Sequence, residues 1–386
     1  MINQAYRLIA PKQIRADFVD LTIDEENVVV RPTYLSICAA DQRYYTGSRG
    51  RVVMKQKLPM SLIHEAVGEI VYDPKGEYQV GTNVVMIPNT PMEQDDIIKE
   101  NYLRSSKFRA SGFDGFMQNV VSMRRDLIIP FTVEPRVAVL LELTSVVMNA
   151  VENFIGEAHE RKDTIGIWGN GNLGFISALV LKKRFPDSKI IVFGVEEQKM
   201  AYFSFVDETY LINNIPQDLR VDHAFECVGG RASETAINQI IDYINPQGSI
   251  TLMGVSENNI AINTRMVLEK GLTLLGNSRS NYDDFKKSVE LMETYPDVCE
   301  YLSTIISEEV IVQSIDDMHR AFDDDLNNDI DHEFSQTVVD GVRLIGDPNS
   351  LFMVYESKEP VGYIPYKLNY YIDTSYTNQN SSILKF

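Results

Sequence analysis

The sequence is poor in cysteine, tryptophan and positive charge, and each shortage removes a class of protein. Three cysteines, Cys38, Cys227 and Cys299, are scattered through 386 residues. So sparse and odd a set makes neither a disulfide framework nor a four-cysteine structural zinc knot. A chain this long buries cores large enough to need neither. Lys and Arg number 36 against 55 Asp and Glu, a formal charge of −19. That acidity argues against sequence-independent nucleic-acid binding and against docking on anionic membranes. A phosphorylated ligand would therefore have to be held by a local basic cluster. No stretch approaches ~18 consecutive apolar residues, so no membrane span is expected. The opening residues, Met1 to Phe18, show no apolar core followed by a small-residue cleavage site, and no secretory leader is read. With 44% hydrophobic and 24% charged residues, the composition is that of a globular chain of about two or three domains, expected in the reducing cytoplasm.

The first half reads as β-rich: short apolar runs at Val28–Val30, Leu62-Ile63, Val67–Tyr72 and Val84–Pro88 are punctuated by turn residues. The polar stretch between Pro88 and Phe116 reads as a long excursion. From Thr164 the pattern changes to alternating strands and helices. Strands are expected at Ile165–Trp168, Lys189–Phe193, Val221–Val228, Ser249–Met253 and Leu272–Leu275, with helices at Asn172–Arg184, near Glu197–Phe203 and at Ser233–Ile244. Such spacing implies βαβ units and a parallel sheet. After Asn281 the chain becomes helical and acidic, and the runs Asp316-Asp317 and Asp323-Asp324-Asp325 read as solvated surface. Beyond Ile345 lies a tyrosine-rich extension, 346–386, with no role assigned.

Gly169, Gly171 and Gly174 form a G-x-G-x-x-G between the first of these strands and its helix. In that setting the first glycine makes the tight turn, the second lets backbone approach a pyrophosphate, and the third lets helix and strand pack closely. The helix start, at Asn172 and Leu173, offers N–H groups and a positive dipole end to phosphates. At the end of the second strand stands Gly194, where NAD-preferring sites carry an acid. With Lys199 as the nearby cation, NADP is favoured, although Glu196 and Glu197 count against it.

Upstream lie Cys38, His64, Glu65 and Glu142. A thiolate, an imidazole and one or two carboxylates make a zinc site with a position left open for water or substrate, the mark of a catalytic zinc. Singly, Cys38 or His64 reads as an ordinary core residue; four in this order favour a metal.

The motifs Cys38–Tyr45 (CAADQRYY), His64–Gly68 (HEAVG), Leu140–Glu142 (LLE) and the glycine loop resemble the zinc-dependent medium-chain dehydrogenase/reductase family, and within it the ribulose-5-phosphate reductase branch. Later stretches, VDHAFECVG, GSITLMG and GLTLLGNSR, resemble further landmarks. The resemblance implies an α/β chain: a GroES-like β-rich catalytic domain over 1–155, completed by about 285–345, and a Rossmann doubly wound parallel-sheet domain over 156–284. It also implies NADPH-dependent reduction of D-ribulose 5-phosphate, with one catalytic zinc on Cys38, His64, Glu142 and Glu65, the last as ligand or near-ligand. In this picture Asp41 orients the site, and Glu65 assists the proton.

Some positions depart from the pattern. Ala40 and Arg43 stand where relatives commonly carry the hydroxyl and histidine of a proton relay, and Ile63 stands where glycine usually precedes the histidine. Arg43, Arg49 and Arg51 cluster after the cysteine motif, so Arg43 is the leading phosphate ligand, with Arg49 and Tyr44 beside it. Arg104, Lys107 and Arg109 form a second, weaker basic run. By resemblance a homodimer and a cytidylyltransferase partner are expected. Two rivals remain: an NAD-dependent polyol dehydrogenase, which the Tyr44-Tyr45 pair would suit, and a non-catalytic NADP-binding scaffold.

Overall fold

The computed structural model describes residues 2–306, 309–330 and 338–340; the tyrosine-rich extension 346–386 lies outside them. The chain opens with a hairpin, Ile2–Ala10 against Gln13–Asp20, whose first strand also pairs with Met60–Ser61. Asn27–Ser36 and Glu65–Tyr72 then form the antiparallel centre of a larger sheet. Asn83–Met86 and Ile128–Pro130 extend that sheet on one side, and Val121–Arg124 pairs with Asn27–Ser36. On the other side the chain returns to it late, through Val338–Asp340 and Glu309–Ile311. This is the GroES-like lobe. The excursion after Pro88 holds two very short paired strands, Asn89–Thr90 and Lys107–Phe108.

One register in this sheet assembles distant parts of the chain. Ser36, the last residue of its strand, pairs with Glu65, the first of its neighbour. Antiparallel pairing therefore brings Cys38, two residues beyond the one end, beside His64, one residue before the other.

The helix Leu141–Glu157 leads into a six-stranded parallel sheet. Its spatial order is Glu208–Leu211, Lys189–Gly194, Thr164–Trp168, His223–Glu226, Ser249–Leu252, Thr273–Gly276. That is the doubly wound order, with the reversal beside Thr164–Trp168. Residues 165–168 and 190–194 are buried throughout, as befits strands covered on both faces, so they read in sequence as continuous apolar runs. The helix Asn172–Arg184 stops two residues before Pro186, as expected where proline restricts the residue preceding it. The helix expected near Glu197–Phe203 is shorter, Glu197–Met200. No helix among the described residues is long and apolar enough to cross a membrane.

Among the described residues, three helices follow the sheet. Tyr282–Thr294 starts with a reciprocal Asn281–Asp284 capping box, and Pro296–Ser303 starts on its proline. The third, Ile315–Ile330, packs on Ala39–Tyr45, the helix that follows Cys38. Tyr45 stacks on Phe322 at 4.5 Å and its hydroxyl meets His319 Nδ1 at 2.9 Å. Here the solvated reading of the acidic runs needs correction. Asp316 is exposed, but Asp325 is buried and accepts a hydrogen bond from Gln42 Nε2 at 2.6 Å. Asp323 pairs with Lys12 at 2.8 Å. An amphipathic helix turns part of such a run toward its neighbour.

Candidate active site

Cys38 Sγ lies 3.8 Å from His64 Nε2, and a Glu65 oxygen joins them in a cluster whose ligand atoms are all within 4.8 Å of one another. Asp41 ties this cluster to the backbone. Its Oδ2 accepts from the Cys38 thiol at 3.0 Å and from the Cys38 N–H at 3.3 Å, while Oδ1 accepts from the N–H of Ile63 at 2.9 Å. One buried carboxylate thus orients both the cysteine and the residue that precedes the histidine. Ile63 itself has φ +65°, the left-handed region that a β-branched residue seldom enters, which explains why glycine suits this position.

Glu142 is buried near the start of its helix and acts electrostatically on His64 and Glu65, but it stands outside the three-residue cluster. Burial raises its carboxyl. Burial, with Glu142 and Asp41 close by, holds Glu65 well above the ordinary carboxyl range. Burial also lifts the Cys38 thiol, reinforced by Asp41 and Glu65. Three buried acids around a thiol and an imidazole form a site whose donors suit a divalent cation. Sulfur, nitrogen and carboxylate oxygen are the zinc set, and binding would release the protons that burial retains.

The cofactor end is equally defined. Gly169 has φ +120°, and a Cβ on Gly174 would fall 1.9 Å from the Gly169 carbonyl oxygen, so both need glycine. A Cβ on Gly171 would meet nothing within 4 Å, leaving an open cradle at the start of a 13-residue helix of the kind that receives phosphate. Gly194 has a packing reason beyond charge: a Cβ there would lie 2.5 Å from the Asn170 side chain. Lys199 pairs with Glu196 at 3.3 Å.

Of the arginines singled out in the sequence, Arg43 faces Glu257 of the parallel-sheet lobe at 3.5 Å. Arg49 stacks over Tyr44 at 4.4 Å. The Nε atoms of Arg43 and Arg49 and the Tyr44 hydroxyl are buried without a hydrogen-bond partner. Arg51, Arg104 and Lys107 are exposed. Arg109 is held between Phe113 and Phe116, with its N–H groups on the Asp114 and Ser122 carbonyls, and burial lowers its pKa to about 10.

Two groups escape a reading of the sequence. Glu226, in the VDHAFECVG stretch, is a buried carboxylate on which two cofactor-side loops converge. Arg279, in GLTLLGNSR, stacks its guanidinium 4.8 Å over Phe108, and the Phe108 ring meets that of His64 edge-on at 5.1 Å. Both stretches resemble family landmarks, but nothing in the local pattern marks their charged residues for a role.

Residues 24–133 match the alcohol dehydrogenase GroES-like domain, and residues 135–333 match the glucose dehydrogenase C-terminus. The chain is 52% identical over 330 residues to ribulose-5-phosphate reductase of Bacillus spizizenii, covering 85% of this chain and 97% of that one. It is 53% identical over 329 residues to ribulose-5-phosphate reductase 1 of Staphylococcus aureus, covering 85% and 96%. The crystal structure of S. aureus TarJ in complex with NADPH superposes with a TM-score of 0.78 at 46% identity, covering 88% of this chain and 99% of TarJ.

Proposed function

The chain belongs to the zinc-dependent medium-chain dehydrogenase/reductase family, and from that premise we propose that it reduces D-ribulose 5-phosphate to D-ribitol 5-phosphate with NADPH. The observation that carries the reading is identity of about half to ribulose-5-phosphate reductases along nearly their whole length, joined to the Cys38–His64–Glu65 cluster.

In this reading Cys38, His64 and Glu65 hold the metal, with Glu142 close by to exchange into the ligand set. A zinc ion in such a site supplies Lewis-acid polarisation of the C2 carbonyl, and a reduced nicotinamide supplies the hydride. The chain's own residues do the rest. Asp41 fixes the thiol and the backbone before His64, the kind of support that keeps metal ligands in register. Glu65 assists delivery of a proton to the C2 oxygen, since Ala40 and Arg43 leave no hydroxyl–imidazole relay. Gly169, Gly171 and Gly174, with the helix start at Asn172 and Leu173, receive the cofactor pyrophosphate. Gly194 and Lys199 accommodate the extra phosphate of NADPH. Arg43, Arg49 and Tyr44, with their unpartnered buried atoms, line the approach of the sugar phosphate.

The domain limits 1–155, 156–284 and 285–345 belong to the same reading. So do a cytoplasmic setting, a homodimer formed along the edge strand Thr273–Gly276, and a cytidylyltransferase that consumes the product on the way to teichoic acid or capsule. The test is NADPH oxidation by the purified, zinc-loaded protein with D-ribulose 5-phosphate, beside NADH and beside unphosphorylated D-ribulose. Turnover restricted to NADPH and the phosphorylated ketose is expected. Activity with NADH and free polyols or ketoses would make the protein a polyol dehydrogenase instead.

A further inference from the structure

We propose that Arg279 is the anion anchor of the substrate pocket, binding the phosphate of a sugar phosphate whose carbonyl lies at the Cys38–His64–Glu65 cluster. The proposal rests on the sugar-phosphate reading above and names the residue that would confer it.

Three observations converge on this side chain. First, in a chain of net charge −19, most arginines have a carboxylate partner, as Arg7, Arg31, Arg125 and Arg184 do. The Arg279 guanidinium is half-buried, and no carboxylate or carbonyl among the described residues lies within hydrogen-bonding or ion-pairing distance of it. It lies 4.8 Å over the ring of Phe108. A desolvated guanidinium stacked on a ring keeps its planar edge of N–H donors, the edge that matches phosphate oxygens in pairs.

Second, its backbone is held in a costly conformation. Arg279 has φ +59°, a left-handed region that an L-residue other than glycine seldom adopts. The neighbouring polar groups enforce it: Asn149 Nδ2 donates to the Arg279 carbonyl at 3.1 Å, Asn101 Nδ2 to that of Ser278 at 3.0 Å, and the Ser280 hydroxyl meets that of Ser145 at 2.7 Å. Asn149 and Ser145 lie on the helix Leu141–Glu157 that carries Glu142. The loop that aims Arg279 is thus fastened to an element of the metal site. Strain maintained by its surroundings points to a function more than to a fold requirement.

Third, the spacing suits the ligand. The Phe108 ring lies with its centroid 5.1 Å from that of His64, and the Arg279 guanidinium lies 4.8 Å over the same Phe108 ring. From a C2 carbonyl to the phosphorus on C5 is a run of about 6 Å in an extended chain of bonds of roughly 1.5 Å. The competing cations are less well placed. Arg43 already faces Glu257, Arg109 is fixed on backbone carbonyls, and the ring partner of Arg49 is Tyr44, which makes no ring contact with the cluster.

The experiment compares wild type, Arg279→Gln, Arg279→Lys and Arg43→Ala, all zinc-loaded, with D-ribulose 5-phosphate, D-ribulose and NADPH varied in turn. Arg279→Gln is expected to raise KM for the phosphorylated ketose on the order of 10- to 100-fold, the loss of a charged hydrogen-bonded contact. It should also collapse the preference for phosphorylated over free ketose, with Arg279→Lys recovering part of it. Four results would each overturn the assignment: an unchanged KM, an equal loss with both ketoses, a shift confined to the KM for NADPH, or a loss seen in Arg43→Ala and absent from Arg279→Gln. If the wild type does not turn over D-ribulose 5-phosphate, the substrate reading fails, and calorimetric titration with inorganic phosphate decides the anion site alone. Binding abolished by Arg279→Gln supports it, and binding retained refutes it.

Discussion

Ile63 shows how single residues here balance opposed costs. Its φ of +65° costs about 1–2 kcal/mol for an L-residue, and glycine would remove that strain. Yet the residue is 1% exposed and lines a small apolar cavity with Leu35, Met117, Val312, Met318 and Phe322. Truncating a buried isoleucine costs about 2–5 kcal/mol, and glycine adds further freedom to the unfolded chain. Burial wins, so Ile63→Gly should destabilise the protein by roughly 2 kcal/mol. The backbone path, and with it the Asp41–Ile63 hydrogen bond, suits glycine equally well, so zinc stoichiometry by elemental analysis should stay at the wild-type value. A melting temperature raised by the substitution would show that strain outweighs packing.

The strand His223–Glu226 carries a different device at each end. At the cofactor end, Glu226 Oε1 accepts from the N–H groups of Val228 and Gly229 at 2.9 and 3.1 Å and from the Ser233 hydroxyl at 2.9 Å. Oε2 accepts from Gly254 N–H at 3.1 Å. The carboxylate therefore joins the loops that follow two adjacent strands, where ligands of doubly wound sheets bind. Glu226→Gln keeps the shape but turns an amide toward one of these donors, which costs about 1–3 kcal/mol. The expected result is a KM for NADPH raised more than that for the ketose, with a lower melting temperature. An effect on the ketose alone would refute the role.

At the other end, His223 is fully buried, and its ring is fixed as the neutral tautomer. Ser249 N–H donates to Nδ1 at 3.1 Å, so Nε2 carries the proton and donates to the Arg161 carbonyl at 3.0 Å. Burial, then His159 and Lys162, holds its pKa down to about 4. Because the folded value lies below the ordinary 6.5, the unfolded chain takes up the proton first, and stability falls as pH drops from about 6.5 towards 4. By pH 5 the loss from this one group is about 2 kcal/mol. Melting curves at pH 7.5 and 5 should show a larger fall for the wild type than for His223→Leu, which lacks the titrating ring. Equal falls would exclude His223 as the cause.

At the scale of the molecule, legibility followed burial geometry. The parallel sheet could be read because strands covered on both faces, such as Ile165–Trp168, are continuous apolar runs. The opening hairpin could not, since Ile2–Ala10 buries Asn3 and Gln4, and Asn3 is satisfied by Gln118 and Val120, far along the chain. Cys38, His64 and Glu65 were legible as a set because chemistry marks them, and the Ser36–Glu65 register brings them together. Arg279 was not, because its neighbourhood is made by the chain crossing from one lobe to the other, and no local pattern records that. Where the reductase ends along the chain is a question of the same scale. Residues 1–342 form one compact unit, the family match ends at residue 333, and reductases of other species are covered to 96–97% of their length by 85% of this chain. The strand Val338–Asp340 pairs with Asn27–Ser36 in the first lobe's sheet, so the reductase is expected to need the chain as far as that strand. A chain ended after Val342 should therefore keep its zinc, its kcat/KM for the ketose within about twofold, and its melting temperature within about 2 °C, a change of roughly 1–1.5 kcal/mol. A tenfold loss of kcat/KM with the fold intact would instead assign residues 343–386 a part in the reaction.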